Sequence, residues 1–122
     1  MIIRSAKVSD SERISELMKE LGYTVSDALI KDKLSEISSS DIDEVYVCDI
    51  DDVVVGCMSL HLTQLFHQMG RAGRITSLVV SNSERGSGVG KKLIEKADEY
   101  FQINGCSKAE VTSGDQREGG RA

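Results

Sequence analysis

The chain has 122 residues, with 15 Lys and Arg against 20 Asp and Glu, a net charge of -5, 39% hydrophobic and 29% charged residues, and neither Trp nor Pro. That length makes one domain, able to bury roughly two-thirds of the surface its unfolded chain exposes. The mixed charge and ordinary hydrophobic content exclude a disordered, fibrous or membrane-spanning chain, and the acidic balance with few aromatics argues against nucleic-acid binding.

Ile2–Arg4 is a short apolar opening suited to an edge strand. Ser9 stands three residues before Glu12, a capping-box spacing, and Ile14, Leu17, Met18 and Leu21 follow on one helical stripe that ends at Gly22. Ser26–Ile37 reads as a second, weaker helix, with Ile30, Leu34 and Ile37 on one side, and Ser38–Asp41 as a polar loop. Glu44–Asp49 and Val53–Leu62, joined at Asp51-Asp52, read as a β-hairpin. Thr63–Ala72 is a polar connection, and Gly73–Val80 a third strand of this part of the chain. Ser81–Gly90 is a loop with three glycines and runs directly into a helix over Lys91–Asn104. Val89, Leu93, Ala97, Tyr100 and Phe101 lie along the buried side of that helix, Gly105 ends it, and Ala109–Thr112 is a last short strand.

The order β-α-α-β-β-β-α-β predicts a mixed α/β (α+β) sheet with helices packed on its faces. The domain is expected to span residues 1–115, and residues 116–122 to form a disordered, solvated tail. Cys48, Cys57 and Cys106 are odd in number and without CxxC spacing, which predicts small buried hydrophobes in a reducing compartment and no metal site. The opening MIIRSAKVSD has no apolar run of signal-peptide length, so a cytoplasmic protein is expected.

The segment Arg85-Gly86-Ser87-Gly88-Val89-Gly90 carries the chemistry. A helix N-terminus leaves backbone N–H groups unpaired and is partly positive, glycines let a backbone approach an anion, and Arg85, Lys91 and Lys92 add charge. Cations in a first helical turn oppose the helix dipole, and an anionic ligand resolves that conflict. The alternative is a flexible connection before a helix. A Walker A loop fails by one residue and by Lys92 where Ser or Thr is needed, and the Rossmann spacing is not met.

Arg85-x-x-Gly88-x-Gly90, after an apolar strand and before a helix, resembles the [Q/R]-x-x-G-x-[G/A] signature of the GNAT superfamily of N-acetyltransferases. The longer stretch ITSLVVSNSERGSGVGKKLIEKADEY is similar to that family's acyl-CoA-binding motif, and the opening helix region and the hairpin VYVCDIDDVVVGCMSL are similar to its first elements. The resemblance implies that the pyrophosphate of acetyl-CoA, the co-substrate, lies on the amides of Arg85, Gly86, Ser87, Gly88, Val89 and Gly90, beside Lys91. It implies that the main chain at Leu78, Val79 and Val80 holds the pantetheine arm, with the strands splaying after Val80. The implied reaction is acetyl transfer to a primary amine of a small molecule or peptide, with no catalytic residue assigned. The strand Arg74-Ile75-Thr76-Ser77-Leu78 holds no carboxylate to serve as base.

Relative to the family pattern the chain lacks C-terminal elements, including a helix with a Tyr general acid and further strands, about 30 residues at ordinary element lengths. The alternative reading is therefore a non-catalytic module that binds acyl-CoA or a partner. An unpaired sheet edge also predicts a homodimer. His61 and His67 are the residues able to act as a base near neutral pH, against a reading as hydrogen-bonded strand or surface residues. Asp49, Asp51 and Asp52 read as a hairpin turn rather than a metal loop, and Asp41, Asp43 and Glu44 as a solvated edge or an attractor for a cationic amine. Cys57 and Cys106 have no residue placed by sequence to activate them as nucleophiles.

Overall fold

The computed structural model describes residues 1–111. The expected tail 116–122, the domain's last residues 112–115 and Thr112 of the last expected strand lie outside the described residues. The elements are β1 (Ile2–Ser5), α1 (Ser11–Glu20), α2 (Asp27–Ile37), β2 (Asp43–Ile50), β3 (Val53–Gln64), β4 (Arg71–Val80), α3 (Val89–Ile103) and β5 (Cys106–Val111), with 3-10 turns at Val8–Asp10 and Asn82–Glu84. The strands form one sheet in the order β1-β2-β3-β4-β5. The first three pairings are antiparallel, and β4 and β5 are parallel, joined through α3 as expected.

Both faces of the sheet are covered. Val89, Leu93, Ala97 and Phe101 of α3 pack on Cys48, Val55, Met58, Leu60, Leu62 and Ile75. On the other face Ile14 and Leu17 of α1 and Leu34 of α2 pack on Val45, Val47, Val54, Cys57 and Val79. Double coverage is why β3 reads as a near-continuous apolar run rather than an alternation. Gly73 lies beneath the Phe101 ring, where a Cβ would collide with it.

Several boundaries differ from expectation, each for a local reason. The Ser9–Glu12 capping box does not form; a 3-10 turn precedes α1, and Asp10 fills the role by accepting the Lys7 N–H at 2.7 Å. Gly22 does end α1, in a Schellman arrangement with Tyr23 N–H on Met18 O and Gly22 N–H on Lys19 O. Thr63 and Gln64 continue β3, and Arg71 and Ala72 begin β4, because a long hairpin pairs its backbone whatever its side chains. Helix α3 starts at Val89, so Val89 and Gly90 belong to its first turn. β5 starts at Cys106, since its ladder with β4 pairs Cys106 and the polar Lys108 and carries Ser107 between them at a register shift. Among the described residues no helix is long and apolar enough to cross a membrane.

Candidate active site

The glycine loop closes the path from β4 into α3. Gly86 and Gly88 have φ of 84° and 92°, in the left-handed region where a Cβ is strained, and the space beside both is open. The loop is braced from within: Ser87 donates its N–H and its hydroxyl to Glu84 O, at 3.1 and 2.6 Å. It is also braced from α1, because the Glu20 carboxylate accepts the Asn82 N–H at 2.6 Å and the Ser81 hydroxyl at 3.1 Å. The Asn82 amide, followed by Ser81, holds the Glu20 carboxyl below its ordinary value.

Lys92 N–H reaches back to Gly88 O, so the amides of Val89, Gly90 and Lys91 form the unpaired first turn of the helix. That turn carries no acidic residue, and among the described residues neither Arg85 nor Lys91 makes an ion pair. A cavity of about 390 Å³ is lined by Leu78, Val80, Arg85, Gly86, Gly88, Val89, Gly90 and Lys91, together with the carboxylate-bearing Glu84. The structure thus gathers eight of the ten sequence-predicted site residues around one concavity. Ser87 caps the loop instead, and the Val79 side chain packs in the core beneath α1 and α2, with Val79 opposite Cys57.

Among the described residues, β4 presents an open edge to that cavity. The β4–β5 ladder ends at Ile75–Val111 among these residues, and on the side away from β3 none of their strands pairs with Thr76–Val80. Ser81 donates its N–H to Val55 O at 2.8 Å, across to β3. Strand alternation therefore turns the N–H and C=O of Leu78 and Val80 the other way, towards the open edge. Thr76 is the extra residue of a bulge, between the pairs Ser59–Ser77 and Leu60–Ile75. Its hydroxyl is 2.6 Å from that of Ser59, which lies 2.7 Å from the Ser77 hydroxyl.

A second cavity, about 250 Å³, lies on the opposite face, beneath α1 and α2. Its walls are apolar (Ile14, Met18, Ile30, Leu34, Ile37 and Val45 among them), and its polar lining includes Asp43, Ser59, Thr76 and Ser77. Cys57 also lines it, but burial pushes the thiol up to about 12, so it is protonated at neutral pH and is no nucleophile. Burial likewise raises Cys106, which is only partly covered.

Four polar residues cross the sheet in register, Asp43 on β2, His61 on β3, Arg74 on β4 and Glu110 on β5, and Asp43 is the one that lines this cavity. His61 Nδ1 is 2.7 Å from Asp43 Oδ1, and Arg74 donates to Glu110 Oε1 at 2.8 Å. The sequence flagged His61 and Asp43 separately, and the hydroxyl trio of Ser59, Thr76 and Ser77 was missed. Counting outward from the Ile50–Val53 pair places Asp43 opposite Leu60; a register shift at Cys48/Asp49 moves it opposite His61. The polar pair Thr76-Ser77 between Ile75 and Leu78 was the signal available for the trio.

The sequence matches the acetyltransferase (GNAT) family over residues 12–119. It is 27% identical over 109 residues to an uncharacterised N-acetyltransferase of Chlorobaculum tepidum, a match that covers 89% of this chain and 65% of that protein. Solved structures share the fold. A GNAT family acetyltransferase of Staphylococcus aureus superposes with a TM-score of 0.83 at 22% identity, over 99% of this chain and 91% of that one. Glucosamine-6-phosphate N-acetyltransferase of Arabidopsis thaliana gives 0.82 at 26% identity, over 96% and 84%. An aminoglycoside 6'-N-acetyltransferase of Acinetobacter haemolyticus gives 0.79 at 14% identity, over 100% and 92%. With a mixed sheet of five strands among the described residues, a glycine loop opening α3 and a sequence match over most of its length, this chain belongs to the GNAT family of acetyltransferases.

Proposed function

We propose that this protein transfers the acetyl group of acetyl-CoA to a primary amine. The observation that carries the reading is the edge of β4 left open among the described residues, which leads straight into the unpaired amides of the first turn of α3, beside Arg85 and Lys91. A strand edge binds an amide-bearing chain such as pantetheine as another strand, and a helix N-terminus binds a phosphate. Leu78 and Val80 hold the arm by their main chain. Gly86, Gly88, Val89 and Gly90 donate N–H groups to the pyrophosphate, and Arg85 and Lys91 balance its charge. An N–H of the open edge polarises the thioester carbonyl.

Attack by the amine nitrogen on the carbonyl carbon forms a C–N bond and breaks the C–S bond. The thiolate leaves and takes one proton, and the second proton released by the ammonium form of the acceptor passes to a base and then to water. Family membership supports an enzyme over a purely binding module, and it leaves the acceptor open.

Calorimetric titration with acetyl-CoA tests this. The wild-type chain is expected to bind saturably, and the double substitution Arg85→Ala with Lys91→Ala to weaken binding by about tenfold or more, from the loss of charge-assisted hydrogen bonds. Both side chains are exposed, so the urea midpoint should hold. No binding by the wild type, or equal binding by the variant, overturns the assignment.

A further inference from the structure

We propose that the acceptor is a monoamine carried on a compact apolar body. The body fills the cavity beneath α1 and α2, the ammonium docks at Asp43, and His61 receives the proton that the nitrogen must lose. The proposal rests on the acetyl-transfer reading and narrows its acceptor.

Size and lining set the class. An apolar cavity of roughly 150 Å³ is enough for benzene, so the 250 Å³ here admits an arylalkyl or branched alkyl group and is small for a polyhydroxylated sugar. Ile14, Met18, Ile30, Leu34 and Ile37 offer a sugar no hydrogen bonds, whereas they match an apolar body. Asp43 is the one carboxylate in the lining, which suits a single ammonium and not a polycation.

Position ties the cavity to the reaction. It ends at Thr76 and Ser77, and the next residue, Leu78, begins the lining of the cavity at the glycine loop. One stretch of β4 is therefore the shared wall, and the bulge at Thr76 marks the crossing from one side to the other. Ser59, Thr76 and Ser77 line the same cavity as Asp43, and Ser77 adjoins Leu78 in the chain.

The charged groups around His61 are paired or turned to solvent. Asp43 on β2 holds its Nδ1 at 2.7 Å, which orients the ring. Arg74 on β4, its register partner on the other side, is neutralised by Glu110 on β5. Lys33 of α2 also lines the cavity; it is exposed, and a lysine there covers apolar wall with its stem while its ammonium stays in water. Part of His61 is open to solvent, so the proton it accepts has an exit.

The test uses phenethylamine and its uncharged isostere 2-phenylethanol, followed by amide NMR shifts of the free chain. Phenethylamine is expected to shift Asp43, Ser59, Thr76 and Ser77 saturably at millimolar concentration, and the alcohol to bind at least tenfold more weakly. Asp43→Asn, which keeps the side chain's shape, should abolish that preference. Equal binding of the two probes, shifts mapping elsewhere, or no shifts at all overturn the acceptor class. With acetyl-CoA present, thiol release driven by phenethylamine should show a titrating limb that His61→Gln flattens. An unchanged pH profile in His61→Gln overturns the proton-acceptor role, and no thiol release by a chain that binds both ligands overturns the cavity as acceptor site. Failure to bind acetyl-CoA at all fells the acetyl-transfer reading instead, and the NMR result still decides whether the cavity takes an apolar monoamine.

Discussion

The side chain with most influence on where α1 begins is Arg4. Its guanidinium donates to both oxygens of Asp10, at 2.9 and 3.0 Å, and to Asp49 at 3.2 and 3.3 Å, so one residue of β1 ties the start of α1 to β2. The hydrogen bond from Arg4, with a lesser contribution from the Lys7 amide, holds the buried Asp10 carboxyl below its ordinary 3.8. A carboxylate depressed in the folded state stabilises fully above its unfolded value and loses that contribution as pH falls through the folded one. Stability should therefore fall as pH drops below 3.8. Arg4→Met should cost about 1–3 kcal/mol at neutral pH by leaving Asp10 short of its partner, and should flatten the acid limb. Urea unfolding at neutral and acid pH measures both; an unchanged acid limb would mean that other carboxylates set it. None of this was legible from sequence, where Asp10 is one acid among many and Arg4's partner on β2, Asp49, is 45 positions away, beyond any local spacing rule. The glycine loop was legible because its chemistry is local: consecutive residues supply the positive φ values, the free amides and the charge.

Among the elements, α3 links the core to the site. Its stripe of Val89, Leu93, Ala97 and Phe101 is buried against the sheet, and its first turn carries the loop's amides. Gly56 lies beneath its N-terminal half, where an added Cβ would stand 2.9 Å from Val89 and 3.2 Å from Leu93. Leu93 is fully buried, so Leu93→Ala should cost about 2–5 kcal/mol by cavity formation. It should also loosen the helix start, so acetyl-CoA affinity should fall with stability even though Leu93 does not line the binding cavity. Paired urea and calorimetric titrations check this, and unchanged affinity in a destabilised variant would show that the loop is held by Glu20 and Glu84 alone. α3 was readable because a 3.6-residue stripe persists over four turns. β5 was half-missed because Ser107 and Lys108 earn their strand conformation from the ladder with β4, and strand conformation imposed by a neighbour leaves no pattern in side-chain polarity. The register shifts at Cys48/Asp49 and Ser59/Leu60 were invisible for a related reason: one extra residue in a strand changes which faces meet without changing composition.

At the scale of the whole molecule, the two cavities draw on different layers. The one at the glycine loop is built from β4, the loop and α3; the one below α1 and α2 takes in β2 and β3 as well. A ligand across the first cavity joins the sheet to α3 and binds only when both are in place, so it stabilises the folded chain as a unit. At one hundred times its dissociation constant, acetyl-CoA should add about 2.7 kcal/mol. For a domain of this size that should raise the melting temperature by about 10 °C. The loop and the strand edge are separable in the same experiment. Pantetheine carries the amides that the open edge of β4 would pair and lacks the pyrophosphate, so at equal concentration it should raise the melting temperature far less, and its effect should be indifferent to salt. The acetyl-CoA shift should shrink as salt rises, because Arg85 and Lys91 are exposed and their attraction to a pyrophosphate is screened. A salt-independent acetyl-CoA shift matched by pantetheine would place the binding energy on the strand alone and leave the unpaired amides and cations of the glycine loop without a ligand.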